Sequence, residues 1–220
     1  MMLALSVAIT VPLLLLILLV KNQQTRFLLL FFVWGSTAGF VASVLNGELL
    51  VSFSISFRAL QIQYAPLLEE LIKAAPLFVF AAVAPRYLRR QEIILAAIFA
   101  GFGFSLVENF SYMIRAQNLE TLELTQYIIT RSVSTTVMHG TATGVIGLTL
   151  YHVERGTLDA FGFKPLFVVY GYSLAVLLHA LFNIVVLFEL LGRTVAILSG
   201  LFSYVVLWLL FTIYSTEEES

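Results

Sequence analysis

Pro66-Leu-Leu-Glu69-Glu70-Leu-Ile-Lys73-Ala-Ala-Pro76-Leu-Phe-Val-Phe-Ala-Ala-Val-Ala84 carries three charged side chains in a run that is otherwise apolar throughout. At about 1.5 Å per residue the run reaches roughly 28 Å, close to the thickness of a bilayer's hydrocarbon core. Proline suits the first position of a helix, where its missing N–H is not needed, and the helix dipole favours carboxylates in the first turns. The helix is therefore predicted to begin at Pro66. Comparable runs lie near 3–20, 27–45, 91–114, 126–150, 166–190 and 194–214, and together they predict an all-α, polytopic transmembrane bundle of about seven helices. The first, from Leu3 to Val20, has no basic segment before it and no A-x-A cleavage site, so it reads as a retained helix. Composition agrees: 60% of the residues are hydrophobic and 11% charged, where soluble domains average roughly 45 to 50% and 25%. The connections are short and polar. One integral membrane domain is expected over 1–220, with its polar motifs confined to 64–185.

The same composition excludes several functions. Net charge is −1 and no basic block exceeds Arg89-Arg90, so a nucleic-acid partner is not expected. Cysteine is absent, which removes disulfides, thiolate metal sites and cysteine nucleophiles together. Alternate connections carry two (Lys21, Arg26), three (Arg86, Arg89, Arg90) and two (Arg155, Lys164) basic residues, against one each (Arg58, Arg115, Arg193) on the other side. The positive-inside rule then places the N-terminus outside and the acidic Glu217-Glu218-Glu219 tail in the cytoplasm of a multi-pass cell-membrane protein. Segment 46–65 stands apart, because Val51-Ser-Phe-Ser-Ile-Ser-Phe57 alternates apolar and polar residues with period two. That pattern predicts an extended edge, able to pair with an unwound substrate by strand addition.

Eight polar or ionisable residues fall inside the predicted helices: Glu69, Glu70 and Lys73 on the third, Glu108 on the fourth, Arg131 and His139 on the fifth, His179 and Asn183 on the sixth. A charge at the bilayer centre costs about 2.5 to 3.5 kcal/mol on insertion scales, so such residues turn toward a bundle interior or a cavity. Residues three or four apart share a helix face, which pairs Lys73 with Glu69 or Glu70, and His179 with Asn183. Adjacent glutamates diverge by about 100°, so one of Glu69 and Glu70 aims at the centre while the other pairs with Lys73 or Arg131. Three carboxylates against Lys73 and Arg131 leave one negative charge, which a divalent cation with an activated water would balance. Imidazole and carboxylate are ligands of Zn²⁺, and a catalytic zinc takes three of them and leaves one position open. Glu108, His139 and His179 are the three expected ligands.

The motifs in order are Glu69-Glu-Leu-Ile-Lys73 as E-E-x-x-K, Phe104-Ser-Leu-Val-Glu108-Asn109 as F-x-x-x-E-N, Arg131 with His139-Gly140, and His179-Ala-Leu-Phe-Asn183 as H-x-x-x-N. Together they resemble the PrsW family of intramembrane proteases, itself similar to the CAAX prenyl endopeptidases and to a scaffold subunit of gamma-secretase. The resemblance covers roughly 64–185, and Asn183 stands where the family pattern often has Asp. It implies a zinc-dependent endopeptidase that cuts a membrane-anchored protein such as an anti-sigma factor. Glu69 or Glu70 would take the proton of the attacking water, and Asn183 would bond the developing oxyanion. Lys73 and Arg131 would fix the carboxylates.

Other intramembrane chemistries lack their residues: there is no H-E-x-x-H, and the sole aspartate, Asp159, lies in a connection. The rival reading is a non-catalytic scaffold or a proton-coupled transporter, since buried Glu, His and Arg also form relays, but no second half repeats the third to sixth helices. With the helix starting at Pro66, Glu69 and Glu70 lie about 5 Å from its outer end. Cleavage is therefore expected near the extracytoplasmic side.

Overall fold

The computed structural model describes residues 2–83, 90–154 and 164–187, with isolated positions between 198 and 212. The described chain is all-helical, with α1 (Met2–Leu19), α2 (Gln23–Ser52), α3 (Ala65–Val83), α4 (Arg90–Arg115), α5 (Thr121–Glu154) and α6 (Lys164–Leu187). By length and apolarity three of these qualify as membrane spans: Gln23–Ser52, Glu92–Arg115 and Lys164–Leu187. α3 misses that standard because Glu69, Glu70 and Lys73 crowd nineteen residues, and α5 because serines, threonines and glycines dilute its apolar content. These are the helices with the densest polar motifs. The run expected near 194–214 lies mostly outside the described residues, so six helices, not seven, are seen among them.

α4 is the central element, packed along α2 on one side and α5 on the other, with α6 against α5 and α1 against α2. The contact is close because it is made of small residues. Ala96, Ala97 and Ala100 on α4 meet Ala142 on α5 and Ala74 on α3 in one buried cluster, the packing by which helices associate in a bilayer. Gly101 shows the limit of this approach. A methyl group there would lie 2.6 Å from the carbonyl carbon of His139 and 2.7 Å from the amide nitrogen of Gly140, so α4 and α5 touch backbone to backbone beside a site residue.

The segment before α3 corrects two expectations. No strand occurs among the described residues: α2 continues to Ser52, and Phe57–Ala59 already forms a helical turn. The period-two serines serve helix ends instead. Ser52 donates to Glu48 one turn back (2.8 Å), Ser54 adopts φ 53°, and Ser56 accepts the Ala59 N–H (3.2 Å) as an N-cap. A positive φ at Ser54 breaks the extended geometry that strand pairing requires. Nor does the helix begin at Pro66. A π-helical turn, Leu60–Tyr64, joins Phe57–Ala59 to α3, with the Ala65 N–H bonded to the Leu60 carbonyl. Glu69 is thus twelve residues beyond Phe57, about 18 Å along the helix instead of the roughly 5 Å expected.

Two prolines explain how α3 is tied to its neighbours. In the π-helical register the Gln61 carbonyl would take the N–H of residue 66, which is proline, and in the α-helical register the Ile72 carbonyl would take that of residue 76, also proline. Side chains from other helices fill both places. Asn183 of α6 donates to the Gln61 carbonyl (2.8 Å), and the Trp34 indole of α2 donates to the Ile72 carbonyl (3.0 Å). Inside a bilayer no water replaces a missing backbone donor, so these side chains complete the helix.

Candidate functional site

The charged face of α3 points into the bundle and meets α5 and α6 there. Glu70 and Lys73 are fully buried, as is His139, and Glu69 is 6% exposed. Lys73, one turn beyond Glu70, donates to its Oε1 (2.5 Å) and to Nδ1 of His139 (2.9 Å), and its ammonium lies 4.7 Å from the Phe104 ring centre. An ammonium has only donors, so Nδ1 of His139 carries a lone pair and its Nε2 carries the hydrogen. That hydrogen is donated to Glu108 Oε2 (3.0 Å).

The two adjacent glutamates separate into different environments. Glu70 accepts from Lys73, from His179 Nδ1 (2.8 Å) and from the Thr143 hydroxyl (3.1 Å). With its Nδ1 donating, His179 turns an Nε2 lone pair toward Glu69 Oε2, 3.7 Å away. Glu69 is held at the other oxygen only: Oε1 accepts from Asn46 Nδ2 of α2 (2.8 Å), while Oε2 is buried without a hydrogen-bond partner. A carboxylate that fixes the imidazole at Nδ1 and leaves the Nε2 lone pair facing outward is the arrangement found behind metal-binding histidines.

Ligand atoms of Glu69, His139 and His179 lie within 4.8 Å of one another. One carboxylate and two imidazoles are a donor set that zinc accepts, and an orphaned buried carboxylate oxygen is what a cation would satisfy. Glu69 Oε2 and His179 Nε2 carry lone pairs that no donor meets, and His139 would offer Nδ1 only in exchange for its hydrogen bond from Lys73; on those terms the residues fit a divalent ion. Glu108, expected as a ligand, instead stands behind His139 and pairs with Arg131 (3.2 Å). Arg131 also donates to Asn109 Oδ1 (3.3 Å) and stacks on Tyr112, 3.4 Å from the ring centre. Asn183, expected at the oxyanion, holds Gln61 as described and lines the neighbouring cavity.

That cavity, about 530 Å³, lies between the helical turns that precede α3 and helices α4, α5 and α6, with Glu108, Arg131 and Asn183 on its wall and mostly apolar side chains elsewhere. Its volume is that of a site taking several residues of an extended chain or a small molecule. Asn46, Thr143 and Trp34 were not anticipated from the sequence. Each is a modest polar residue without a charged neighbour in the chain, and its role depends on helices that are far apart in sequence.

A membrane bundle with carboxylates and imidazoles buried together beside a cavity is equipped for chemistry on a substrate within the bilayer. The chain belongs to the PrsW family of intramembrane metalloproteases, whose family model matches residues 23–214. It is thus a membrane protease by family. No curated protein and no solved structure matches it significantly.

Proposed function

We propose that this protein hydrolyses a peptide bond of a membrane-anchored protein, an anti-sigma factor being the family's precedent, and that Glu69 Oε2 is the atom at which the reacting water is held and gives up its proton. The supporting observation is the contrast between the glutamates: Glu70 is saturated by three donors, whereas Glu69 keeps a buried oxygen without one. Glu70 then orients His179 and Lys73. A divalent ion, zinc by donor type, would be held by His179 and, in exchange for its Lys73 bond, by His139, with Glu69 Oε2 beside it left free for the reacting water, and when bound it would supply Lewis-acid polarisation and ready ionisation of water. Glu108 and Arg131 position His139 through its Nε2–H. The Asn183 amide carries a second hydrogen beyond the one given to Gln61, and we assign it to the developing oxyanion.

The substrate enters the 530 Å³ cavity, and the whole bundle acts as one membrane domain with its chemistry in 64–185. With the basic connections cytoplasmic, Glu108 lies eighteen residues, about 27 Å, from the start of α4, beyond the midplane. Scission is accordingly assigned to the extracytoplasmic half. The deciding experiment compares Glu69→Gln and Glu70→Gln in reconstituted protein. Glu69→Gln is expected to lower kcat by at least about 100-fold at unchanged unfolding temperature, and Glu70→Gln to lower activity and stability together. A fully active Glu69→Gln protein would overturn the assignment.

A further inference from the structure

Asn46 belongs to a helix that carries none of the family-like motifs, yet it is hydrogen-bonded to Glu69. Its Nδ2 holds Glu69 Oε1, and two acceptors of this pair, Asn46 Oδ1 and Glu69 Oε2, are buried without donors. Buried acceptors in native proteins are met by a donor, and leaving two on one bonded pair is costly. Both residues line a pocket of about 70 Å³ between α2, α4 and the start of α3. Gly39, Ala42, Ser43 and Gly47 line its α2 side, at spacings that share one helix face. A water occupies about 30 Å³ in the liquid and needs two or more polar partners, so the pocket suits water and is too small for a peptide. Glu108 and Tyr112 line both this pocket and the 530 Å³ cavity. The site is therefore approached from two sides, a small pocket along α2 that holds the two unmet acceptors and a large, mostly apolar cavity between α4, α5 and α6.

We infer that Asn46 is a water-positioning residue and that water is loaded from the α2 side while the substrate occupies the large cavity. The inference rests on Glu69 as the proton acceptor. Asn46 fixes the carboxylate through Oε1, and its Oδ1 accepts one hydrogen of the water whose other hydrogen points at Glu69 Oε2. In the reaction that second proton passes to Glu69 and the water oxygen bonds to the scissile carbonyl carbon. The C–N bond then breaks, and the proton passes to the departing amine.

Turnover of a transmembrane model substrate by protein in lipid nanodiscs tests this. Asn46→Leu is expected to lower kcat about 10- to 100-fold, as loss of an orienting partner does, with KM within about twofold. Asn46→Gln, which retains donor and acceptor, should recover part of the rate. Ser43→Leu fills the pocket without removing either bonded group and should lower kcat in the same way, which decides the matter if Asn46→Leu fails to fold. Unchanged kcat in Asn46→Leu or in Ser43→Leu, while Glu69→Gln is inactive, would overturn the inference and leave the proton acceptor standing. An active Glu69→Gln protein would overturn both, and a rise in KM alone would make Asn46 a substrate contact instead.

Discussion

Removing the ammonium of Lys73 tests whether the α3 cluster is held together by charge. Lys73→Met keeps the volume of the side chain but deletes the donor to Glu70 Oε1 (2.5 Å) and to His139 Nδ1 (2.9 Å) in a place with no exposure to solvent. Glu70 would be left with only His179 and Thr143 to donate. Breaking a buried pair from one side costs about 3 to 5 kcal/mol. For a chain of this length each kcal/mol moves the unfolding temperature by about 2 to 4 °C, so a fall of roughly 6 to 20 °C is expected. The double variant Glu70→Gln/Lys73→Met removes both charges, and a neutral replacement of a buried pair is often tolerated. It should be more stable than Lys73→Met alone, with a coupling of about 1 to 3 kcal/mol in the double-mutant cycle. Thermal unfolding of the four proteins in one detergent or nanodisc preparation measures this. A loss under about 1 kcal/mol in Lys73→Met, or effects that simply add, would show that the pair is not what orders the site.

Four further outcomes follow from the same geometry. Trp34→Phe deprives the Ile72 carbonyl of its donor and should cost about 1 to 3 kcal/mol, while Pro76→Ala in that background restores a backbone N–H and should recover most of it; no recovery would refute the capping role. Gly101→Ala forces a methyl group against the His139 carbonyl carbon and should destabilise by about 1 to 3 kcal/mol, with activity lost as His139 moves; full activity would contradict the close contact. Elemental analysis of protein purified without chelator should find about one divalent ion per chain and much less after His179→Ala, and equal, negligible metal in both would remove the cation from the site. Mapping the cut in a model substrate should place it in the extracytoplasmic half, and scission at the cytoplasmic end would refute the orientation or the assigned site.

The helices were legible because a bilayer demands long apolar runs, and 66–84, 91–114 and 166–190 each fall within two or three residues of an observed helix. The charged residues inside them were legible for the complementary reason, that nothing in hydrocarbon tolerates them casually. The division of labour between Glu69 and Glu70 could be foreseen only as a geometric necessity, since helical periodicity says that they diverge without saying which meets His179. Val51 to Phe57 misled because serine ends helices as readily as it alternates in strands. Chain order also hides Asn46 and Thr143, which reach the glutamates across 23 and 73 residues. Asn46 falls one residue past the predicted end of its helix, which in the structure runs on to Ser52, and Thr143 has no signal at all among so many threonines on α5.

The two proline-released carbonyls of α3 bear on the order in which the protein matures. Trp34 is already synthesised when α3 enters the membrane, so the Ile72 carbonyl can be met at once. The Gln61 carbonyl must wait for Asn183, and Glu70 must wait for His179, both on α6. A nascent chain that has completed α5 therefore holds its glutamates and lysine in a helix whose first turns are unfinished and whose second imidazole does not yet exist. On the proposed site, catalytic competence would arrive with α6, in the same docking step that completes the backbone of α3.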